Sequence, residues 1–237
     1  MDTKNVLSTI GKAVVSAVIP QIGGSIASIW GDLEANQVKR KIQRFEELIS
    51  SLQQDFDSIK DRVNDEFVKS EDCLDIFEKM SKMVINERVE EKRKLYKNVY
   101  LHSMIAQNVD FDIVERDLRF IEQLNSLEIA LLKIFDNPKK YNKSVGEPIK
   151  NPFLDEKGNW RSSYFIDYLL IEQLMILLPS TVKKEDVYES LYFLSQNRIL
   201  VDGVQNKKLH TNGNPISILE DVLTDKGRRF VLNLQNI

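Results

Sequence analysis

Apolar residues recur in heptad register between residues 42 and 63, in alternating steps of three and four. The seven positions are Ile42, Phe45, Ile49, Leu52, Phe56, Ile59 and Val63. This spacing places all seven on one narrow face of a helix, and a partner helix must cover that face. Since no glycine or proline occurs between Asp32 and Phe67, we expect one long helix there with a polar outer face. The partner helix belongs either to the same chain or to a second copy of it.

A second long helix is predicted to follow, from Ser70 to about Ala106. Ser70 is a helix-capping residue type, and the acidic Glu71 and Asp72 suit the positive end of a helix dipole. The charged run at 86–94 is typical of a solvated helix face. Two long antiparallel helices, together with the apolar pieces before them, predict a four-helix-type bundle.

The first 30 residues are apolar and rich in small side chains. We expect one helix over residues 5–19, ended by Pro20, and a second that begins near Gly23. Two pairs of small residues are four positions apart, Gly23 with Ala27 and Gly24 with Ser28, a spacing that favours close helix contact. Two interpretations stay open: buried helices of the bundle, or a hairpin that inserts into a membrane when the protein is activated.

The C-terminal half combines helix signals with hairpin signals. Helices are expected at 125–136, 162–178, 183–197 and 224–234, a polar surface loop at 139–161, and strands at 199–201 and 216–223. Helix, helix, helix, hairpin and helix is the order of a winged-helix module. The sequence therefore predicts a mainly α protein with two domains, a helical bundle at 1–119 and a small α+β winged-helix-like domain at 120–237.

A winged helix suggests DNA binding, but the charges argue against it. The chain has 33 basic and 36 acidic residues, a net charge of −3. Acidic Glu185, Asp186 and Glu189 lie in the expected recognition helix, where phosphates would approach. The basic residues available for nucleic acid are Lys183, Lys184, Lys207, Lys208, Arg228 and Arg229. Because winged helices also dock proteins, a DNA-binding regulator is the alternative and not the first choice.

The sequence carries no motif for catalysis, a metal or a cofactor. Its two histidines, His102 and His210, lie in different predicted domains without a cysteine or acidic partner at ligand spacing. Gly23 and Gly24 lack the residues that complete a phosphate-binding loop. The single cysteine, Cys73, cannot form an internal disulfide, which suits the reducing cytoplasm. We therefore expect a cytoplasmic protein that is not an enzyme and has no cofactor.

Four groups of residues carry a resemblance to a broad group of bacterial proteins. They are Pro20, Gly23 and Gly24; Glu91, Lys92, Leu95 and Asn98; Leu127, Leu131, Leu132, Phe135 and Pro138; and Leu223, Thr224, Gly227 and Phe230. Those proteins share an apolar Pro-x-x-Gly-Gly start, a helical region and a winged-helix-like end. The layout is also similar to that of the Abi-alpha abortive-infection family.

The resemblance implies a bacterial or prophage protein of phage defence that acts without catalytic residues. Its expected partner is another protein, such as a phage component, and the long helices offer a route to a homo-oligomer. Two alternatives remain: a winged-helix transcription regulator, and a membrane-permeabilising effector that uses the N-terminal apolar segment.

Overall fold

The computed structural model describes residues 23–35, 39–151, 168–209 and 214–235, and these are mainly helical, as predicted. The chain divides into two compact units: the described residues through Gln123 together with Gln235, and Leu124–Leu234. The predicted boundary at residue 120 falls within a helix that ends at Gln123. That helix stays whole because its buried face, which includes Leu118 and Ile121, packs on other helices of the first unit.

The first unit is a bundle of helices. Its helices are α1 (Gly23–Ala35), α2 (Lys39–Ile59), α3 (Asp65–Val68), α4 (Glu71–Asn86), α5 (Glu90–Ile105) and α6 (Phe111–Gln123). Helix α2 packs on α4 and α5, and α6 packs on the same two helices. Fully buried aromatic residues fill the centre, with the rings of Phe77 and Tyr100 5.7 Å apart. Each such side chain stabilises the fold by about 1.5 to 3 kcal/mol through burial.

The prediction of an uninterrupted helix from Asp32 to Phe67 is wrong, because Asn64 breaks the helix. The Asn64 side chain accepts hydrogen bonds from the amides of Glu66 and Phe67 and so caps α3. Its amide group also donates to the Ala106 carbonyl oxygen at 3.0 Å. Asparagine competes in this way for backbone groups that a continuing helix would use. A 3₁₀ turn at Lys60–Arg62 leads from α2 into this break.

The second long helix is also divided, into α4 and α5. The Glu87 carboxylate accepts a hydrogen bond from the amide of Val89 at 2.8 Å, just before α5 begins. The amide of Glu87 itself donates to the Met83 carbonyl at 2.9 Å and closes the last turn of α4. The charged run is thus partly a connection, because residues 87–89 are not helical and the Glu87 carboxylate binds the backbone between the two helices. The Ser70 cap of α4 is confirmed by its hydrogen bond from the Cys73 amide, at 3.2 Å.

The second unit is helical with very short strands. Its elements are α7 (Ser126–Asp136), α8 (Pro138–Ser144), β1 (Tyr168–Leu169), α9 (Leu170–Leu177), α10 (Lys184–Gln196), β2 (Lys208–Leu209) and α11 (Asp225–Val231). The helix expected at 125–136 is confirmed as α7, which begins with a capping box formed by Asn125 and Glu128. The loop expected from residue 139 instead starts with α8, because Pro138 is at a first-turn position where proline favours a helix. The loop's residues 152–161 lie outside the described part.

The prediction of a hairpin with strands at 199–201 and 216–223 is mostly wrong. Strands β1 and β2 pair antiparallel, while Leu200 and Leu223 form a single isolated bridge. The returning strand predicted at 216–223 begins as a 3₁₀ helix, Pro215–Ile218. Asn214 accepts a hydrogen bond from the Ile216 amide at 3.1 Å, and Pro215 follows it, so the local sequence starts a helical turn there. The apolar helix expected at 162–178 is α9, which begins only at Leu170.

Within the described residues, no helix has both the length and the apolar character needed to cross a membrane. The proposed N-terminal hairpin falls mainly on residues before Gly23, which are outside that part of the chain.

Candidate interaction surfaces

The heptad positions of α2 contribute to the core of the first unit. Phe45, Ile49, Leu52 and Ile59 are buried, Ile42 and Phe56 are half-buried, and Val63 is half-buried and lies beyond the end of α2. Leu48 is also buried. The buried stripe is therefore wider than a coiled-coil seam and is typical of a helix in a globular bundle. Packing of α2 on α4 and α5 covers this stripe within one chain.

The small residues near the start of α1 are mostly exposed. Gly23 is buried, whereas Gly24, Ala27 and Ser28 face solvent. A Cβ added at Gly24 would meet no described atom within 4 Å. The close helix contact predicted from the four-residue spacing is thus not formed at Gly24 in the described residues. Membrane contact by this segment stays a prediction.

The six basic residues considered for nucleic acid lie on separate elements of the second unit. Lys183 and Lys184 are exposed at the start of α10, Lys208 is exposed in β2, and Arg229 is exposed in α11.

Two of the six basic residues are engaged within the unit. Lys207 donates to the Glu220 carbonyl at 3.1 Å, and burial lowers its pKa although Asp221 partly opposes this. Arg228 is 4.0 Å from Asp221 and 3.8 Å from Asp225. These contacts reduce the positive charge available to a phosphate backbone.

A surface that the sequence reasoning missed lies on the neighbouring helices α9 and α10. It consists of Ile176 of α9, which is 51% exposed, with Tyr188 and Tyr192 of α10, which are 36% and 58% exposed. We call these three residues the tyrosine surface. Tyr188 and Tyr192 are four residues apart and so share one face of α10. The opposite face, with Val187, Leu191 and Leu194, is buried.

Exposed acidic side chains are on the same two helices as the tyrosine surface. Glu185, Asp186 and Glu189 of α10 are exposed, as is Glu172 of α9. Tyrosine combines a large apolar ring with a polar hydroxyl, and it is enriched at protein interfaces. Two features of the sequence could have indicated this surface. They are the apolar character of α9 on all sides and the four-residue spacing of the two tyrosines.

The single cysteine of the chain lies inside the first unit. Cys73 is fully buried, and its sulfur lies 3.5 Å from the Tyr100 hydroxyl. Burial raises the pKa of the Cys73 thiol, and the hydrogen bond with Tyr100 offsets this only partly. The thiol is therefore held in its unreactive protonated form. In the described ranges, no group of three or more metal-ligating side chains is placed to hold an ion.

Comparisons of the chain with protein families, with curated proteins and with solved structures find no match. The functional argument is therefore made from the residues of this chain and their contacts.

Proposed function

We propose that this chain is a non-enzymatic protein-interaction module, and that it acts in a bacterial or prophage anti-phage defence of the abortive-infection type. The tyrosine surface carries the first part of the proposal. Its support is the pair of exposed tyrosines on one face of α10, since tyrosine is enriched at protein interfaces. The anti-phage role rests on the resemblance to the Abi-alpha family, and the cytoplasm is its proposed location.

The charges around the tyrosine surface favour a particular kind of partner. Three exposed acidic residues are on the same helix as Tyr188 and Tyr192, and a basic partner surface would complement them. Arginine or lysine side chains of that partner would also stack on the tyrosine rings. The proposed partner is therefore a protein that presents basic residues around an apolar centre.

The proposal treats the second unit as winged-helix-like. Its support is the order of the elements: β1 comes directly before α9, α10 follows after a short connection, and the Leu200–Leu223 bridge comes next. In such a module α10 takes the place of the recognition helix. The tyrosines and acids on that helix favour docking of a protein over binding of DNA.

A phage-challenge assay with a paired variant tests the proposal. Cells that express the chain should form fewer plaques than cells without it, and Tyr188→Ala with Tyr192→Ala should abolish that protection. Circular dichroism should show unchanged helix content, because both side chains are exposed. Val145→Ala is the matched control, since Val145 is an apolar residue of the same unit and is 44% exposed; it should keep full protection.

Other outcomes of this assay contradict the proposal in distinct ways. Full protection by the tyrosine variant would remove the tyrosine surface from the function. If Lys183→Glu with Lys184→Glu abolished protection together with a DNA footprint, the regulator would replace the interaction module. Leakage of liposomes caused by the purified chain would favour the membrane effector. No effect of the wild-type chain on any phage tested would remove the defence role.

A further inference from the structure

A cavity of about 390 Å³ lies within the first unit, between α2, α4 and α5. Its charged lining consists of Arg44, Arg93, Lys94 and Lys97 with Glu47 and Glu90. With Asp55, which pairs with Lys97, four cations and three carboxylates leave an excess of one positive charge (4 − 3 = 1). This excess stands out in a chain whose net charge is −3. We call this site the basic cavity.

The cations on α5 share one helix face, which borders the buried face of Leu95 and Val99. Glu90, Arg93, Lys94 and Lys97 follow the spacing i, i+3, i+4 and i+7, which places them on one helix face. The side chains of Arg93 and Lys97 are only 18% and 14% exposed. Moving cations out of water costs free energy unless they are paired. Lys97 has such a partner in Asp55, whereas the Glu47 carboxylate is only loosely placed beside Arg93.

Hydrogen bonds hold the two arginines in place at the end of α4. Arg44 donates to the Ile85 carbonyl oxygen at 3.0 Å, and Arg93 donates to the Arg88 carbonyl oxygen at 3.1 Å. A guanidinium has five N–H donors, so most of those of Arg44 stay available, whereas Arg93 also donates to the Glu87 carbonyl oxygen at 3.4 Å. Among the described residues no carboxylate forms an ion pair with Arg44. The positive charge of Arg44 is thus fixed in position without an anionic partner in that part of the chain.

The carboxylates of the cavity are at its solvent side. Glu47 is 53% exposed and lies 3.9 Å from Arg93, while Glu90 is 68% exposed and pairs with Lys94 at 2.7 Å. Exposed pairs of this kind contribute little to stability, typically between about 0 and 1 kcal/mol. An anion that enters the cavity can therefore take over Lys94 at small cost. Lys97 stays paired with Asp55, which offsets its charge, so Arg44 and the released Lys94 supply the two positive charges for the anion.

The remaining lining limits the chemistry of the ligand. Leu48 and Val84 provide the apolar part, and the Ser51 hydroxyl already donates to the Leu48 carbonyl at 3.0 Å. The described lining has no aromatic ring on which a base could stack. Arginine and lysine together are the residues that bind phosphate. We propose that the basic cavity binds a small phosphate-bearing anion with at least two negative charges. This site is independent of the tyrosine surface.

Binding of tripolyphosphate to the full chain tests the proposal by isothermal titration calorimetry at physiological ionic strength. The wild-type chain should bind it, and Lys94→Glu should weaken binding at least about tenfold, because it removes one charge-assisted contact and adds a repulsive one. Lys82→Glu is the matched control. Lys82 also follows a glutamate by four residues, is 69% exposed where Lys94 is 65%, and does not line the basic cavity.

The control separates a site from general attraction of anions. Binding that Lys94→Glu weakens and Lys82→Glu preserves supports the basic cavity. Equal losses in the two variants would show nonspecific attraction and overturn the proposal. It would also be overturned if the wild-type chain did not bind tripolyphosphate, or if Lys94→Glu bound it as tightly as wild type. Circular dichroism of both variants should match the wild type, because both lysines are exposed.

Discussion

Replacement of Gly227 by alanine should destabilise the second unit, although alanine is the better helix former. Gly227 lies in α11, and a Cβ atom there would overlap the Ile199 carbonyl oxygen and lie 3.2 Å from the Leu223 Cδ2 atom. The carbonyl is backbone and cannot rotate away as a side chain would. The same Ile199 oxygen accepts a hydrogen bond from the Thr224 amide at 3.0 Å, so moving it disturbs the start of α11.

The expected change in the free energy of unfolding combines one stabilising and two destabilising contributions. Helix propensity favours alanine by about 1 kcal/mol. Overpacking costs about 1 to 3 kcal/mol, and weakening one or two hydrogen bonds costs about 1 kcal/mol each. We therefore expect the free energy of unfolding to fall by about 1 to 4 kcal/mol, measured by urea denaturation followed by circular dichroism.

Gly31→Ala is the control for this prediction. Gly31 is within α1, and a Cβ there would meet no described atom within 4 Å. That variant should be unchanged or more stable by up to about 1 kcal/mol. If Gly227→Ala is as stable as the wild type, the close approach of Gly227 to Ile199 does not exist in solution.

Two further predictions concern the first unit. Leu52→Ala should lower the free energy of unfolding by about 2 to 5 kcal/mol in urea denaturation, since Leu52 is 5% exposed. Alanine at the exposed Gln54 is the control and should change it by less than about 0.5 kcal/mol. Similar losses in the two variants would contradict the burial of this face of α2. Burial disfavours the Glu87 carboxylate, but hydrogen bonds from Val89 and the charge of Lys92 outweigh it and lower its pKa. Ionised Glu87 therefore stabilises the fold at a pH above its ordinary pKa, and this contribution is lost as the pH falls through the lowered pKa. The melting temperatures of the wild type and Glu87→Gln should differ at pH 7 and converge in acid.

Helices that depend on local signals were predicted well from the sequence. The Ser70 and Asn125 caps are where the sequence places them, and α10 starts and ends within a residue of its prediction. Such caps are formed by residues close in the chain, so one sequence contains all the information they need.

Breaks that depend on distant contacts were not predicted. Asn64 ends a helix partly because its side chain reaches the Ala106 carbonyl, 42 residues further on. The heptad pattern continues through that point, and periodicity alone cannot show the competing hydrogen bonds.

The candidate sites were missed for a related reason. Tyr188 and Tyr192 read as ordinary residues of an amphipathic helix until their exposure is known. The basic cavity brings Arg44 together with Lys97, and no spacing in the sequence reveals that two separate helices meet there. Helix faces are readable locally, whereas the neighbours of each face depend on the tertiary fold.

The buried Cys73 gives the chain an internal reporter of its own opening. It is the single cysteine of the sequence, and its sulfur is enclosed beside Tyr100 in the first unit. A thiol reagent can reach that sulfur only while the surrounding helices are separated, so the labelling rate measures how often they separate. The second unit has no thiol. The conformational fluctuations of one half of the molecule can thus be timed in the unmodified protein, without an introduced probe.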